Sequence, residues 1–304
     1  MLNNLDRFFD LAAGKAGGKL AVAACHDRDV LLACIEAETR GLCHPILIGD
    51  GQKTAELLCK LGHDPAAFEI IATPDDVASA AMAVSLVREG KANAIMKGLL
   101  QTGDLMRAVI NKETGIRTGR LLSHVMVYEC PGCDRLLYLT DGGMNTFPTL
   151  DQKAEILENA AQVLHKLGYT ESAAACICGA EAVNPKIQST LDAQALSEMT
   201  DRWAPYGLSV YGPVGLDLAI SPHAVEKKKY SAPGAGRADI LLVPNYEVGN
   251  GIGKALTMFA NARNAGIILG AKVPIVLVSR ADSADSKLAS IALGSVLSAR
   301  MKLD

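Results

Sequence analysis

One polar turn in this sequence follows an apolar run of strand length and carries several cations. The run ANAIMKG (92–98) leads through Lys97 into a turn, and Thr102 and Gly103 then open a predicted helix that bears Arg107. Open α/β sheets bind ligands where the carboxyl end of a strand faces the amino end of a helix, whose free backbone amides favour anions. We therefore predict an anion site here, with ordinary surface arginines near a helix cap as the alternative. The cations of this segment are Lys97, Arg107, Arg117 and Arg120.

A second polar segment, VPNYEVGNGIGKAL (243–256), carries Gly249, Gly251 and Gly253 directly after a predicted strand. The spacing is G-x-G-x-G and not the G-x-G-x-x-G of dinucleotide-binding turns. It also departs from the phosphate-loop pattern, because Val248 stands where the first glycine belongs and Ala255 where Ser or Thr belongs. The segment is left open between a helix-capping turn and a phosphate cradle.

A third polar segment, VLVSRADSADSKLAS (276–290), places Ser279 and Arg280 at the exit of a buried strand. Arginine presents a planar fork that suits phosphate or a developing oxyanion, and a serine hydroxyl can donate a hydrogen bond beside it. The following helix is predicted to open at Asp282 or Ser283. Asp285 lies in its first turn, where capping is a sufficient role for a carboxylate.

Three further polar residues could orient a substrate. His124 lies in an apolar strand, where a satisfied core histidine is the alternative. Asp141 and Asn145 lie in the glycine-containing segment 141–149, where they could instead fix a turn. The sequence has no G-x-S-x-G, no HExxH and no Ser-His-Asp signature, so covalent acyl-enzyme catalysis is disfavoured.

The eight cysteines are interpreted mainly as reduced structural thiols. Cys130 and Cys133 form a CPGC pair that could be redox-active or half of a zinc site, but Cys176 and Cys178 have the wrong spacing to complete a zinc knuckle. We predict no metal site. The remaining cysteines are Cys25, Cys34, Cys43 and Cys59.

The elements that position these residues follow a repeated pattern of apolar run, turn and amphipathic helix. Most runs are continuously apolar, which indicates strands covered on both faces and predicts a doubly wound α/β fold. Among the helix starts, Thr149 and Gln152 form a capping box, Thr73-Pro74 with Asp76 opens one helix, and Asn184-Pro185 opens another. The predicted strands are 20–24, 45–49, 69–72, 92–98, 121–128, 135–141, 173–179, 208–212, 239–244 and 273–279.

Length and charge bound the function. The 304 residues predict two domains, a discontinuous one of residues 1–146 with 280–304 and a second of residues 147–279 that carries an oligomer interface. The net charge of −3 argues against nucleic acid or an anionic membrane as partner. Lys227, Lys228 and Lys229 are interpreted as a solvated helix face, with an anionic-ligand role as the alternative. Asp6, Arg7 and Asp10 interrupt the N-terminal apolar stretch, so we expect no signal peptide, no membrane span and a cytoplasmic location.

Five segments give the chain a family resemblance. The sequence closely resembles the phosphate butyryltransferases of the phosphate acetyl/butyryltransferase family, in register over roughly residues 15–300. The resemblance implies two α/β domains of the isocitrate/isopropylmalate dehydrogenase type with the active site in a cleft between them. It implies transfer of an acyl group, with butyryl favoured, from CoA to orthophosphate by direct attack, without metal or prosthetic group, in a homodimer or larger homo-oligomer. The segments are KGLLQTGDLMRAVINKETGIRTGRLLSHVMV, LTDGGMNTFPTLDQKAEI, VYGPVGLDLAIS, VPNYEVGNGIGKAL and VSRADSADSKLASIAL.

The resemblance also implies roles for single residues. It assigns Arg280 to phosphate and oxyanion stabilisation, Ser279 to a hydrogen bond on the reacting group, and Arg107 to a second phosphate clamp. The family's carboxylate base falls here on Ser286, so the assignment of a base to the adjacent Asp285 competes with Asp282 and with no base at all. The implied substrate-binding residues are Lys97, Thr102, Gly103, Arg107, His124, Asp141, Asn145, Tyr246, Gly249, Asn250 and Gly251.

Two other functions compete with this one. An NAD(P)-dependent dehydrogenase of the related fold would use the segment 249–253 for its cofactor and Arg280 for a 2′-phosphate. The glycine spacing and the lack of an acidic residue at the end of strand 273–279 argue against it. A non-catalytic regulatory or scaffold domain is the second alternative, and the presence of Ser279 and Arg280 argues against that one.

Overall fold

A computed structural model of the chain describes residues 2–13 and 18–301. The chain divides into two compact units. The central unit comprises Met1–Leu5 and Leu121–Asn264, and the terminal unit comprises Asp6–Arg120 and Ala265–Asp304. Each is a mixed α/β unit, as the apolar runs between amphipathic helices predict.

The described residues form eleven strands, and ten of them overlap the ten predicted runs. β10 was not predicted, because Asn264 and Gly266 interrupt its apolar run. The strands are β1 (Lys19–Ala23), β2 (His44–Gly49), β3 (Glu69–Ala72), β4 (Ala94–Lys97), β5 (Ser123–Glu129), β6 (Leu137–Thr140), β7 (Ser172–Ile177), β8 (Leu208–Val214), β9 (Ile240–Leu242), β10 (Arg263–Leu269) and β11 (Ile275–Val276).

Strand pairing within each unit is mostly parallel. In the terminal unit the order is β3-β2-β1-β4-β11-β10, with only β10 and β11 antiparallel among these neighbours. In the central unit the order is β5-β6-β9-β7-β8, with β5 and β6 antiparallel. β5 and β6 are linked by a short turn without a crossover helix, and a connection of so few residues can join only antiparallel neighbours.

The helices surround these strands and bury apolar faces against them. Two short 3₁₀ helices span Pro65–Ala67 and Ala204–Tyr206. The α-helices are α1 (Arg7–Ala12), α2 (Arg28–Thr39), α3 (Gly51–Lys60), α4 (Asp76–Arg88), α5 (Thr102–Ile110), α6 (Leu150–Leu167), α7 (Gln188–Glu198), α8 (Thr200–Trp203), α9 (Leu216–Ile220), α10 (Pro222–Lys228), α11 (Tyr246–Phe259) and α12 (Ala284–Arg300). Within the described residues, no helix is long and apolar enough to cross a membrane.

The helix starts test the predicted caps. The capping box of Thr149 and Gln152 at α6 is confirmed. The predicted start at Thr73-Pro74 is wrong, because the side chain of Asp75 caps α4 by accepting from Ala78 N. The predicted start at Asn184-Pro185 is also wrong: the side chain of Asn184 closes a turn by accepting from Lys186 N, and α7 begins only at Gln188.

The boundaries between the units differ from the predicted ones. The chain passes from one unit to the other after residue 120 and again after residue 264, whereas the sequence predicted changes after 146 and after 279. Strand pairing is the reason. β5 pairs with β6 and β6 with β9, which places 123–140 in the central unit, while β11 pairs with β4, which places 275–276 in the terminal unit.

Candidate active site

The terminal unit brings two predicted site segments to one edge of its sheet. β4 and β11 are parallel, with Met96 opposite Val276, so the turns that follow them leave the sheet at the same edge. We call residues 98–101 the β4 turn and residues 277–283 the β11 turn. Gly98 is required in the first of these, because a Cβ there would lie 2.2 Å from the carbonyl oxygen of Ala24.

The β11 turn presents Ser279 and Arg280. Ser279 N donates to Asp282 Oδ2 at 2.9 Å, which closes the turn. The guanidinium of Arg280 is exposed and donates through Nη2 to Gln101 Oε1 of the β4 turn at 3.0 Å. Gln101 is neutral, so this contact orients the guanidinium without compensating its charge. The prediction missed Gln101, whose amide gains a partner only through this tertiary contact.

Lys97 is part of strand β4 and is buried, which differs from the predicted cation in an open turn. Its Nζ donates to the carbonyl oxygens of Gly98 at 3.1 Å and Leu100 at 2.9 Å, inside the β4 turn. Burial, and to a smaller extent the positive charges of Arg280 and Lys287, together lower its pKa to about 8. Its ammonium is therefore close to its titration range near neutral pH.

The helix that follows the β4 turn begins at Thr102. Gln101 occupies the N-cap position of α5, but its side chain accepts no hydrogen bond from the first backbone amides of this nine-residue helix. Arg107 lies on α5, with its side chain 73% exposed and ion-paired to Asp104 at 2.9 Å. Arg117 is exposed, and its backbone forms a bridge with Ala271.

The start of α12 contains the proposed base and a lysine that was not predicted. Ser283 caps the helix, in agreement with the second of the two predicted starts. Asp285 lies exposed in the first turn, and the Asp282 carboxylate is engaged with Ser279 N. Lys287 is buried, and its Nζ donates to the carbonyl oxygen of Asp282. A lysine at a buried position of the otherwise apolar KLASIAL run was the signal that could have identified it.

The central unit gathers the predicted residues of segment 141–149. The buried carboxylate of Asp141 accepts from the backbone amides of Gly143 (2.8 Å) and Met144 (2.9 Å) through Oδ1, and from His124 N (3.2 Å) through Oδ2. The same Oδ2 accepts from Asn145 Nδ2 at 2.6 Å. Asp141 thus fixes this turn, as one of its two predicted roles requires.

His124 and Asn145 are held against the same turn. Asn145 Nδ2 also donates to the carbonyl oxygen of Leu122 at 2.9 Å. His124 is 5% exposed, and a Cβ at Gly143 would lie 2.2 Å from its Nδ1. The turn and the histidine are therefore in close contact, and only a glycine fits between them.

The predicted glycine loop at 249–253 is helical. Asn245 caps α11 by accepting from Val248 N at 3.0 Å, so the glycines lie inside the helix. Gly249 packs against Gly142, where a Cβ would lie 2.6 Å from Gly142 Cα. The segment therefore begins a helix, and Gly249 is required where α11 approaches the turn at 141–145.

The remaining predicted residues of this segment lie at the amino end of α11. Tyr246 N donates to the carbonyl oxygen of Thr146 at 3.1 Å, and Asn250 Nδ2 is within 3.4 Å of the carbonyl oxygen of Gly142. Gly251 faces open space. The central unit therefore brings its predicted residues together around one turn and one helix start.

The cysteines are free thiols. Burial raises the pKa of Cys130 to about 11, and the neighbouring Cys133 acts in the same direction. In the part of the chain that the structure describes, no group of three or more His, Cys, Asp or Glu side chains could hold a metal ion. On the predicted solvated helix face, Lys228 forms ion pairs with Glu181 and Asp217.

Comparison with known proteins identifies related sequences and folds. Residues 55–295 match the family described as Phosphate acetyl/butaryl transferase. The phosphate butyryltransferase of Clostridium acetobutylicum is 42% identical over 297 residues, which cover 98% of this chain and 99% of that protein. The crystal structure of a branched-chain phosphotransacylase from Enterococcus faecalis V583 has a TM-score of 0.82 and 34% identity, covering 93% of this chain and 99% of that one.

The fold is also shared with a dehydrogenase. A 4-hydroxythreonine-4-phosphate dehydrogenase from Burkholderia phymatum has a TM-score of 0.53 at 17% identity, with 92% of this chain and 98% of that chain covered. At this identity the likeness concerns the fold alone, and it agrees with the predicted dehydrogenase-like architecture.

Proposed function

The chain belongs to the phosphate acetyl/butyryltransferase family, and from this premise we propose that it is a phosphate acyltransferase. Its reaction is the reversible transfer of a short-chain acyl group, with butyryl as the expected one, from CoA to orthophosphate, which yields acyl phosphate and CoA. The observation that carries the proposal is the 42% identity to a phosphate butyryltransferase over nearly the whole length of both chains. The exposed Arg280 beside Ser279 supplies the chemistry.

Arg280 and Ser279 are proposed to act on the reacting groups. A phosphate that attacks a thioester must be aligned with the carbonyl carbon, and negative charge then builds on the carbonyl oxygen. The Arg280 guanidinium has several N–H donors, and Gln101 engages one of its nitrogens. The other donors are proposed to bind phosphate and the developing oxyanion, while the Ser279 hydroxyl donates to the reacting group.

The start of α5 is proposed to contribute to the same phosphate site. Its first backbone amides, at Thr102 and Gly103, lack a side-chain cap and carry the positive end of the helix dipole. Lys97 adds a buried positive charge nearby. Arg107 is proposed as the second clamp, and it would exchange its partner Asp104 for phosphate.

Proton transfer to and from CoA is assigned with two alternatives. When CoA is the nucleophile, its thiol must lose a proton. Asp285 is exposed and is proposed as the acceptor, whereas Asp282 already accepts a hydrogen bond from Ser279 N. Direct loss of the proton to water, without a protein base, is the other alternative.

The turn at 141–145 and the start of α11 are proposed to bind CoA and the acyl group. Backbone amides that Asp141 fixes and the side chains of His124 and Asn145 would orient the substrate. Tyr246, Gly249, Asn250 and Gly251 would line the approach along α11. No metal or prosthetic group is proposed for the chemical step, and we propose a cytoplasmic homo-oligomer whose central unit carries the interface.

A dehydrogenase is the alternative function, and no contact in the described residues favours it. The segment 249–253 forms the first turns of α11, and its Gly249 packs closely against Gly142. Reduction of NAD(P) with a hydroxy-acid substrate would support that alternative.

The proposed activity is tested by release of thiol from acyl-CoA. The protein is mixed with butyryl-, isobutyryl-, valeryl- or acetyl-CoA, phosphate is added, and free thiol is followed with a thiol reagent. Phosphate-dependent release is the expected result, and its absence with all four would refute the proposal. Arg280→Ala is expected to lower turnover by ~10²-fold or more. Activity close to that of the wild type would refute the role of Arg280.

A further inference from the structure

Two buried lysines of the terminal unit bond to the β4 turn and to the β11 turn, which carries Ser279 and Arg280. Lys97 is 6% exposed and Lys287 is 3% exposed, although they lie on different elements, β4 and α12. Backbone carbonyl oxygens accept the hydrogen bonds of both ammonium groups: those of Gly98 and Leu100 for Lys97, and that of Asp282 for Lys287. Burying an ammonium against neutral acceptors is unfavourable, so this arrangement calls for a functional explanation.

The geometry directs both ammonium groups to the same place. The parallel pairing of β4 and β11 sends the β4 turn and the β11 turn off one sheet edge, and the contact between Gln101 and Arg280 joins them. Lys97 bonds within the first turn. Lys287 bonds to Asp282 of the second, whose carboxylate in turn accepts from Ser279 N.

The charges around Lys97 are unbalanced. Arg280 on the β11 turn and Lys287 on α12 both oppose its protonation, and Asp76 in the first turn of α4 favours it. Arg280 and Lys287 thus both repel the Lys97 ammonium, which places three cations around the two turns. A doubly charged anion at this point would stabilise all three, whereas a singly charged anion would leave much of their repulsion in place.

We propose that Lys97, Lys287 and Arg280 form a three-cation site that selects a phosphoryl dianion, the doubly ionised form of orthophosphate or the phosphoryl group of an acyl phosphate. The proposal rests on the proposed acyl transfer and adds to it the ionic form of the substrate and the role of Lys287. Lys287 is a positioning residue, because it acts through Asp282 and through its charge on Lys97.

A pH dependence follows from the site. Below about pH 8 Lys97 is an ammonium, and above it the charge is lost, so affinity for phosphate falls as pH rises through about 8. Lys287→Met removes one of the charges that lower the pKa of Lys97. The pKa of Lys97 then rises, and the alkaline decline of kcat/KM moves to higher pH even though phosphate binds more weakly. A lysine whose charge does not reach Lys97 would not move this decline.

The experiment measures kcat/KM for phosphate from about pH 6 to about pH 9.5, because this quantity reports the ionisation of the free enzyme and of free phosphate. The ionisation of phosphate is the same for every variant, so a difference between variants reports the enzyme. The variants are Lys287→Met, Lys287→Arg and Lys97→Met, with circular dichroism to verify folding. Lys53→Met is the matched control, since it removes an exposed lysine of the same unit that pairs with Asp50. We expect Lys287→Met to raise the KM for phosphate about tenfold or more, and Lys287→Arg to restore most of the affinity. The control is expected to match the wild type.

Two results would overturn the inference. One is a KM for phosphate in Lys287→Met within about twofold of the wild type, and the other is a raised KM with an unmoved alkaline decline. If Lys287→Met does not fold, Lys97→Met decides, since it should abolish the decline near pH 8.

Failure of the proposed function is distinguishable from failure of this inference. If the wild type releases no thiol, calorimetric titration with inorganic phosphate tests the site directly. The wild type should bind phosphate more weakly above about pH 8 than just below it. Absence of binding, or binding unaffected by Lys287→Met, would refute the three-cation site.

Discussion

Two glycines of α11 that lie two residues apart should respond to alanine in opposite ways. A Cβ at Gly249 would lie 2.6 Å from Gly142 Cα and 2.7 Å from Val243 Cγ2. A Cβ at Gly251 would meet no atom within 4 Å. Both positions are helical, so the difference between them lies in packing and not in backbone conformation.

The two contributions set the magnitudes. Alanine is favoured over glycine inside a helix by ~0.5–1 kcal/mol, so Gly251→Ala should raise the free energy of unfolding by about that amount. Gly249→Ala gains the same benefit, but its methyl group meets the backbone of Gly142, which cannot rotate away. Overpacking of this kind costs ~1–3 kcal/mol, so the net change should be a destabilisation of up to ~2 kcal/mol.

Urea denaturation of the wild type and the two variants measures both changes under one set of conditions. The midpoint should fall for Gly249→Ala and rise for Gly251→Ala. The close approach of α11 to the turn at 141–145 would be refuted if Gly249→Ala were as stable as the wild type. Gly142→Ala examines the same contact from the other side, since its Cβ would lie 2.6 Å from the carbonyl carbon of Gly249. It should destabilise by a similar amount.

Three further predictions concern a buried ion pair, the support of Arg280 and the thiols. The buried ammonium of Lys153 lies 2.6 Å from the equally buried carboxylate of Asp192. Asp192→Ala leaves that ammonium without its partner and should lower the free energy of unfolding, measured by urea denaturation, by ~3–5 kcal/mol. A loss below ~1 kcal/mol would contradict this. Gln101→Leu keeps the size of the side chain but removes the oxygen that accepts the hydrogen bond of Arg280. It should lower kcat/KM in the thiol-release assay by about tenfold. An unchanged kcat/KM would show that Arg280 does not need this hydrogen bond. A thiol reagent applied to the native protein near pH 8 should label the exposed Cys59 before the buried cysteines. The reason is that burial raises the pKa of a thiol such as Cys43, to about 12, and the thiolate is the reactive form. Labelling of Cys43 as early as Cys59 would refute this order.

The sequence predicted those features that depend on local pattern. Continuous apolar runs identified ten strands, because a strand covered on both faces has no polar side to interrupt it. The capping box at Thr149 was equally local, since both of its hydrogen bonds join residues three apart. The Ser279-Arg280 pair at a strand exit was recognisable for the same reason, and the structure places it on a turn beside β4.

Features that depend on tertiary pairing were not predictable in the same way. The glycine-containing segment 141–149 has the composition of a boundary between domains, but β6 on its near side pairs with β9. The glycines of α11 have the composition of a loop, but Gly249 and Gly253 lie inside the helix where it closely approaches Gly142 and Tyr128. Lys287 was missed because its acceptor, the Asp282 carbonyl, becomes available only when α12 and the β11 turn are folded together.

The partners of the cations are what would let a chain of net charge −3 form the proposed anion site. Several lysines and arginines elsewhere are paired with carboxylates, as Lys228 is with Glu181 and Asp217. At the β4 and β11 turns the acceptors are instead an amide oxygen for Arg280 and carbonyl oxygens for Lys97, which fix geometry but leave the charge uncompensated. The same criterion ranks the two proposed clamps. Arg107 is already paired with Asp104, and an anion must compete for it, so Arg280 should carry the larger share of phosphate affinity.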